Sequence, residues 1–339
     1  MAKVTLILAI VLWIYPLIAT PQELIDKVEK QFNNVSSINV KGAFCSVEFE
    51  EGESSTVRFD GEIRATQRYD DFRIQYEQNG DQLNVWINNI PQRIIGQIKG
   101  LLHFEVPKNS LIKVDNTSGT VSVIGVGHNN VALESVSGNI SVSDIPCNIS
   151  LNSTSGTIKA TQINGNLIAN STSGSINVSN VSGTASVEST SGTTNVQNVT
   201  KSLKISTTSG NIKIASIYSD VTGKSNSGLL DLTGIKGNLV LNNISGEIRL
   251  SDVIGSINAT TTSGSIRGNS VMITGDSNFR TTSGSINFVL LNADKALSYD
   301  LESISGNLEA NGVKGSKKLV ISEGAIKIKG NTTSGNQKF

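Results

Sequence analysis

Residues 152–160 read NSTSGTIKA, and the chain keeps returning to that phrase: NSTSGSINV from Asn170, VESTSGTTNV from Val187, ISTTSGNIKI from Ile205 and ATTTSGSIRG from Ala259. The Ser-Gly glycines are Gly119, Gly138, Gly156, Gly174, Gly192, Gly210, Gly228, Gly246, Gly264, Gly284 and Gly306. Their intervals are 19, then 18 seven times, then 20 and 22; a further 18 reaches Gly324, where SEG stands for TSG. A period of this length marks a repeat architecture and outranks local propensity as a signal.

Within one repeat the apolar residues hold fixed places. After Gly174 come Ile176, Val178, Val181, Ala185 and Val187; after Gly228 come Leu230, Leu232, Ile235, Leu239, Leu241 and Ile244. Offsets 2, 4 and 7 return as 11, 13 and 16, and a second glycine often stands at offset nine, as in Gly165, Gly183, Gly237, Gly255 and Gly315. Each repeat is therefore two similar halves. A step of two is strand alternation. A step of three marks a corner, where the glycine that follows supplies a backbone with φ > 0.

The pattern predicts an all-β chain: a parallel β-solenoid of about twelve coils, two short strands and two corners in each, rising ~4.8 Å per coil to a rod roughly 55 Å long. Ser and Thr beside the glycines would stack as ladders and bond the backbone at the turn. Thr154, Thr172, Thr190, Thr208 and Thr262 are expected to point inward, with Val136, Ile244 and Ile304 replacing them in other coils.

Composition agrees with an aliphatic core. Aromatic residues are 5% of the 339, so Ile, Val, Leu and Ala must fill the interior. Basic and acidic residues balance at 28 each, which gives no reason to expect nucleic acid as a partner. Regular apolar spacing argues against a disordered linker.

The sequence divides into five segments. Residues 1–19 read as a signal peptide, with Lys3, an apolar run over 4–14 and Ala19 near the cleavage point; cleavage would leave no transmembrane segment. Residues 20–34 are expected to form a short amphipathic helix with Leu24, Ile25, Val28 and Phe32 on one face. Residues 35–115 alternate as strands, with a hairpin at EQNGDQ, and form a β-rich capping region that closes the exposed edge. Residues 116–330 carry the repeats and 331–339 a tail. Lysines 314, 317, 318, 327, 329 and 338 would deter edge-to-edge pairing at the far end.

No constellation for catalysis stands out. The turns hold Ser, Thr and Asn where a calcium β-roll needs an aspartate ladder. Asp276, Asp294 and Asp300 are scattered around the longer insertions at 268–302, and a carbohydrate-active solenoid enzyme would need them clustered. His103 and His128 have no partner at metal spacing, and Cys45 and Cys147 read as two separate thiols. No catalytic residue, cofactor or metal ligand is assigned. The candidate binding face is the outward side at offsets 1 and 3: Thr157 and Lys159, Ser175 and Asn177, Thr193 and Asn195, Asn211 and Lys213, Ser265 and Arg267. Such a regular polar surface suits a glycan or a surface protein.

The stretch FEVPKNSLIKVDNTSGTVSV at 104–123, followed by the TSGSINV-type units, resembles the bacterial "putative adhesin" family of β-strand repeats, a domain of unknown function. The resemblance covers about 35–330. It implies an exported β-solenoid with an adhesive role and no established catalytic residues. The expected function is a non-enzymatic structural or interaction protein of the bacterial periplasm, cell surface or exterior, binding a surface protein or glycan. The alternatives are a carbohydrate-active β-helix enzyme and an envelope-associated regulatory component.

Overall fold

The computed structural model of the chain describes residues 22–339, apart from 53–54, 70–71, 89, 91–92 and 94. The expected signal peptide lies outside the described residues. The repeats do wind as a parallel β-solenoid. The opening strands are β1 (Glu23–Phe32), β2 (Ser37–Gly42), β3 (Cys45–Glu51), β4 (Val57–Ala65), β5 (Arg73–Asn79), β6 (Gln82–Asn88), β7 (Ile98–Val106), β8 (Leu111–Ser118) and β9 (Val121–Ile124). Strands β10 to β25 follow between Asn130 and Leu290, ending with β24 (Ser277–Ser283) and β25 (Ile286–Leu290). The last four are β26 (Leu297–Ala310), β27 (Val313–Ile321), β28 (Ile326–Ser334) and β29 (Gln337–Lys338).

From β8 to β25 the chain makes about ten successive turns of about 18 residues. The strands preceding each Ser-Gly form a first face and those following it a second. Register is like upon like. On the second face Ile158 pairs with Ile176, Ile176 with Thr194, Thr194 with Ile212, Ile212 with Leu230 and Leu230 with Ile248. All of these side chains are buried, so an aliphatic column runs through the rod. At about 25 cal/mol per Å² of apolar surface removed from water, that column and its neighbours dominate the stability.

The glycines are required by this stacking. A Cβ on each Ser-Gly glycine from Gly138 to Gly284 would collide with the carbonyl oxygen of the glycine one coil below. Most of them also have φ between 101° and 159°, but Gly138 and Gly210 do not, so close approach is the reason common to all. The offset-nine glycines differ from expectation. Gly165, Gly183, Gly237 and Gly255 are not left-handed; a Cβ there would strike backbone of the preceding coil. The left-handed residue lies three places earlier, at Asp144, Gln162, Asn180, Asn198, Ser216, Gly234, Asp252 and Ser270. Asn, Asp and Gly tolerate that conformation best, which explains much of the choice.

The two ends abandon chain order. At the start, β6 and β7 stack outside β2 and β3, and the chain then crosses to β8 and β9 on their other side. At the finish, β28 inserts between β24 and β26, and β29 between β25 and β26. Gly335 rather than Gly324 continues the glycine column, sitting on Gly284 with Gly306 on top of it. This rearrangement accounts for the gap between about ten turns in chain order and the twelve expected. Residues 331–339, read as a tail, are part of that inserted coil.

Antiparallel strands close both ends. β1 pairs with β4, β4 with β7, β5 with β6, and β27 runs back along β26. Lys314, Lys317 and Lys318 lie on β27, an outermost strand, where charge discourages pairing with another chain. Segment 20–34 is a correction: residues 23–32 form the strand β1, and no helix covers them. Ile25 is an extra residue in the β1–β4 register, between Leu24 and Asp26. That bulge turns strand alternation into a three-residue step from Ile25 to Val28, which reads as helical in sequence. The strand is favoured because it satisfies the free edge of β4.

Candidate functional site

Side chains on each outer face form columns along the rod, one residue per coil. On the first face, alternation through Leu151, Asn152, Ser153 and Thr154 runs in, out, in, out. Thr154, Thr172, Thr190, Thr208 and Thr262 are therefore exposed, as are Val136, Ile244 and Ile304. Their expected inward orientation is wrong by one residue, and a one-residue slip exchanges the two sides of a strand. The buried slot belongs to the preceding residue: Ser135, Ser153, Ser171, Ser189, Thr207, Ser225, Asn243, Thr261 and Thr281. Some polar groups there reach glycine carbonyls, whereas the Ser153, Ser171, Thr207 and Ser225 hydroxyls have no partner among the described residues. Asn243 Nδ2 donates to Gly228 O at 2.9 Å and Thr281 Oγ1 to Gly264 O at 3.0 Å.

Thr154, Thr172, Thr190 and Thr208, but not Thr262, form one wall of a groove of about 770 Å³ along the first face. Asp115, Glu134, Asn152, Asn170, Glu188, Ser206 and Lys224 form the other wall. Asn170 Nδ2 donates to Asn152 Oδ1 at 2.9 Å, so neighbouring coils share an amide ladder. The outward row extends past Asp115 through Lys41 to Trp86, its register partners on β2 and β6. Sequence reading missed this groove because it turned the threonines inward. The signal that locates it is the strict period of two running on past Leu151.

The candidates on the second face separate into two sets. Lys159, Asn177, Asn195 and Lys213 line one shallow groove of about 490 Å³ with Thr161, Gln197, Asp231 and Thr233. Asn195 Nδ2 donates to Asn177 Oδ1 at 2.8 Å within it. Thr157, Ser175, Thr193 and Ser265 are half-buried beside the glycine column, Asn211 is exposed there, and none of the five lines that groove. The Thr157 and Leu229 amides donate to Asn139 and Asn211 side chains of the coil below, at 2.9 and 3.1 Å. Arg267 lies farther along and shares Glu247 with Arg249, at 3.0 and 2.6 Å.

The aspartates of the insertions have structural partners. Asp276 Oδ1 accepts from the Lys327 amide at 2.9 Å, and Asp300 pairs with Lys327 Nζ at 3.2 Å. The side chain of Asp294 lies outside the described residues. Both cysteines are free thiols. Burial pushes the Cys45 thiol up to about 12 and raises Cys147 as well, which disfavours the reactive thiolate. Among the described residues no helix is long and apolar enough to cross a membrane.

Solved structures that the chain matches include a "putative adhesin" from Bacteroides fragilis, 17% identical, TM-score 0.39, over 66% of this chain and 99% of that one. A "putative adhesin" from Parabacteroides distasonis is 12% identical, TM-score 0.29, over 78% and 99%. A "putative lipid binding protein" from the same species is 14% identical, TM-score 0.25, over 78% and 99%. No curated protein is matched at a significant level. The Toastrack DUF4097 family model matches residues 35–228 and 217–338, nearly the whole described solenoid with both of its ends, and the chain belongs to that family.

Proposed function

We propose that this is an exported, non-enzymatic, adhesin-like protein that holds an extended glycan along the groove of its first face. One observation carries the reading: four successive coils repeat Thr154, Thr172, Thr190 and Thr208 opposite Asn152, Asn170, Glu188 and Ser206. Hydroxyls and amides recurring every ~4.8 Å suit a linear polymer that repeats its own hydroxyls on a similar scale. Trp86, half-buried in line with the Asp115 end of the groove, offers a ring on which a sugar can stack. The second-face row Lys159, Asn177, Asn195 and Lys213 is an accessory surface in this proposal. Export rests on the leader-like residues 1–19 and is tested by fractionating the producing cell.

A glycan array probed with the purified rod tests the groove. Replacing Thr154, Thr172, Thr190 and Thr208 together by alanine abolishes binding, whereas Lys159→Ala with Lys213→Ala leaves most of it. Absence of binding to every linear glycan, or loss only in the second-face variant, contradicts the proposal.

A further inference from the structure

We propose that the N-terminal end of the rod carries a transition-metal site, suited to Zn²⁺, built from Glu50, His103 and Glu105. These residues are far apart in sequence and meet only through strand register. Glu48 and Glu50 on β3 stand opposite His103 and Glu105 on β7, which in turn stand opposite Asp60 and Arg58 on β4. One donor atom from each of Glu50, His103 and Glu105 lies within 4.8 Å of the other two. An imidazole nitrogen favours zinc over calcium and magnesium, which prefer oxygen alone, and zinc also accepts carboxylate oxygens.

The imidazole stands between two carboxylates. Its Nε2 is 3.2 Å from Glu50 Oε1 and its Nδ1 is 3.6 Å from Glu48 Oε2. Between Nε2 and Glu50 Oε1 a nitrogen lone pair and a carboxylate lone pair are placed to share one cation. Two donors each ~2.0–2.1 Å from a tetrahedral zinc stand about 3.3 Å apart, close to the separation seen. Nδ1–H is then directed toward Glu48, the carboxylate–histidine–metal arrangement that fixes ring and tautomer.

Charge and rigidity point the same way. Four carboxylates (Glu48, Glu50, Glu105 and Asp60) surround His103, and Arg58 answers two of them, at 3.5 Å from Glu105 and 3.2 Å from Asp60. Beneath this surface Phe49 and Phe104, which alternate with the proposed ligands on β3 and β7, stack at 4.6 Å, and Phe59 of β4 stacks on Phe104 at the same distance. The ligands therefore stand on a packed sheet, and only their outer atoms need to move. His103 is 24% exposed at its side chain, open enough for an ion to enter.

Calorimetric titration of the EDTA-treated full chain with ZnCl₂ tests the site. One equivalent of Zn²⁺ binds, and Ca²⁺ gives no comparable binding. His103→Ala weakens Zn²⁺ at least tenfold, Glu48→Gln weakens it about tenfold, and His128→Ala, at an exposed residue between β9 and β10, changes nothing. Far-UV circular dichroism checks that each variant folds; if His103→Ala does not, Glu50→Gln with Glu105→Gln replaces it and gives the same loss. No saturable binding by the wild type, binding unchanged in the folded variants, or loss in His128→Ala instead would overturn the proposal.

Discussion

The middle of the rod and its two ends solve different problems. In the middle, coils follow chain order, each residue rests on its counterpart 18 places earlier, and the core is aliphatic. At the ends the order breaks, antiparallel strands appear, and the aromatics gather. All nine phenylalanines lie before residue 105 or after residue 278. Phe49, Phe59 and Phe104 stack at one end; Phe279, Phe288 and Phe339 cluster with Tyr299 at the other. The difference teaches where specificity comes from. A repeat can satisfy its backbone with another copy of itself, but a last coil has no such copy and must be closed by large side chains and strands of opposite direction.

That contrast can be broken or sharpened by substitution. The largest effect is expected in the glycine column. Gly192→Val places a Cβ against the Gly174 carbonyl and forces a β-branched residue to φ 115°. It should cost at least about 4 kcal/mol in urea unfolding, or prevent folding. Gly312, at the tip between β26 and β27, has φ 75° but open space around it. Gly312→Ala should cost only about 1–2 kcal/mol, and equal losses would deny that stacking sets the requirement.

Phe339→Ala removes the ring packed against Phe279, Phe288 and Tyr299 and should cost about 2–3 kcal/mol. Limited proteolysis should then release the inserted terminal coil before it cuts the middle. Cys45 gives a pH-dependent test of the first end. Burial raises its folded thiol from 9.0 to about 12, so the stabilisation is complete below the unfolded pKa and is lost as pH rises from 9 towards 12. Wild type should lose about 1.4 kcal/mol relative to Cys45→Ala between neutral pH and pH 10, read from paired unfolding curves. The smallest effect has the opposite sign. Thr194 is buried between Ile176 and Ile212 with no partner for its hydroxyl. Thr194→Val should raise stability by about 1 kcal/mol.

Periodicity made the solenoid legible because every inward slot is sampled many times along the rod. Ile158, Ile176, Ile212 and Ile248 could be assigned to one column from spacing alone. The threonine wall was lost because buried Ser153 and exposed Thr154 look alike in composition, and only the two-residue period separates them. The ends were less legible for a further reason. NTTSG at 331–335 matches the repeat, yet nothing local says that it belongs below Gly306 and above Gly284. Likewise His103, Glu50 and Glu105 share no motif; their meeting depends on which strands pair.

The most direct test of the account is which coils touch at the far end. Arg280, Asn331 and Glu302 point outward in consecutive strands β24, β28 and β26. Adjacent strands are ~4.8 Å apart and alternate ones about twice that, while a disulfide needs Cα atoms within ~7 Å. In a Cys147→Ser background, Arg280→Cys with Asn331→Cys should oxidise readily to an intramolecular disulfide, and Arg280→Cys with Glu302→Cys should not. The reverse result would mean that the coils stack in simple chain order and that the inserted terminal coil does not exist.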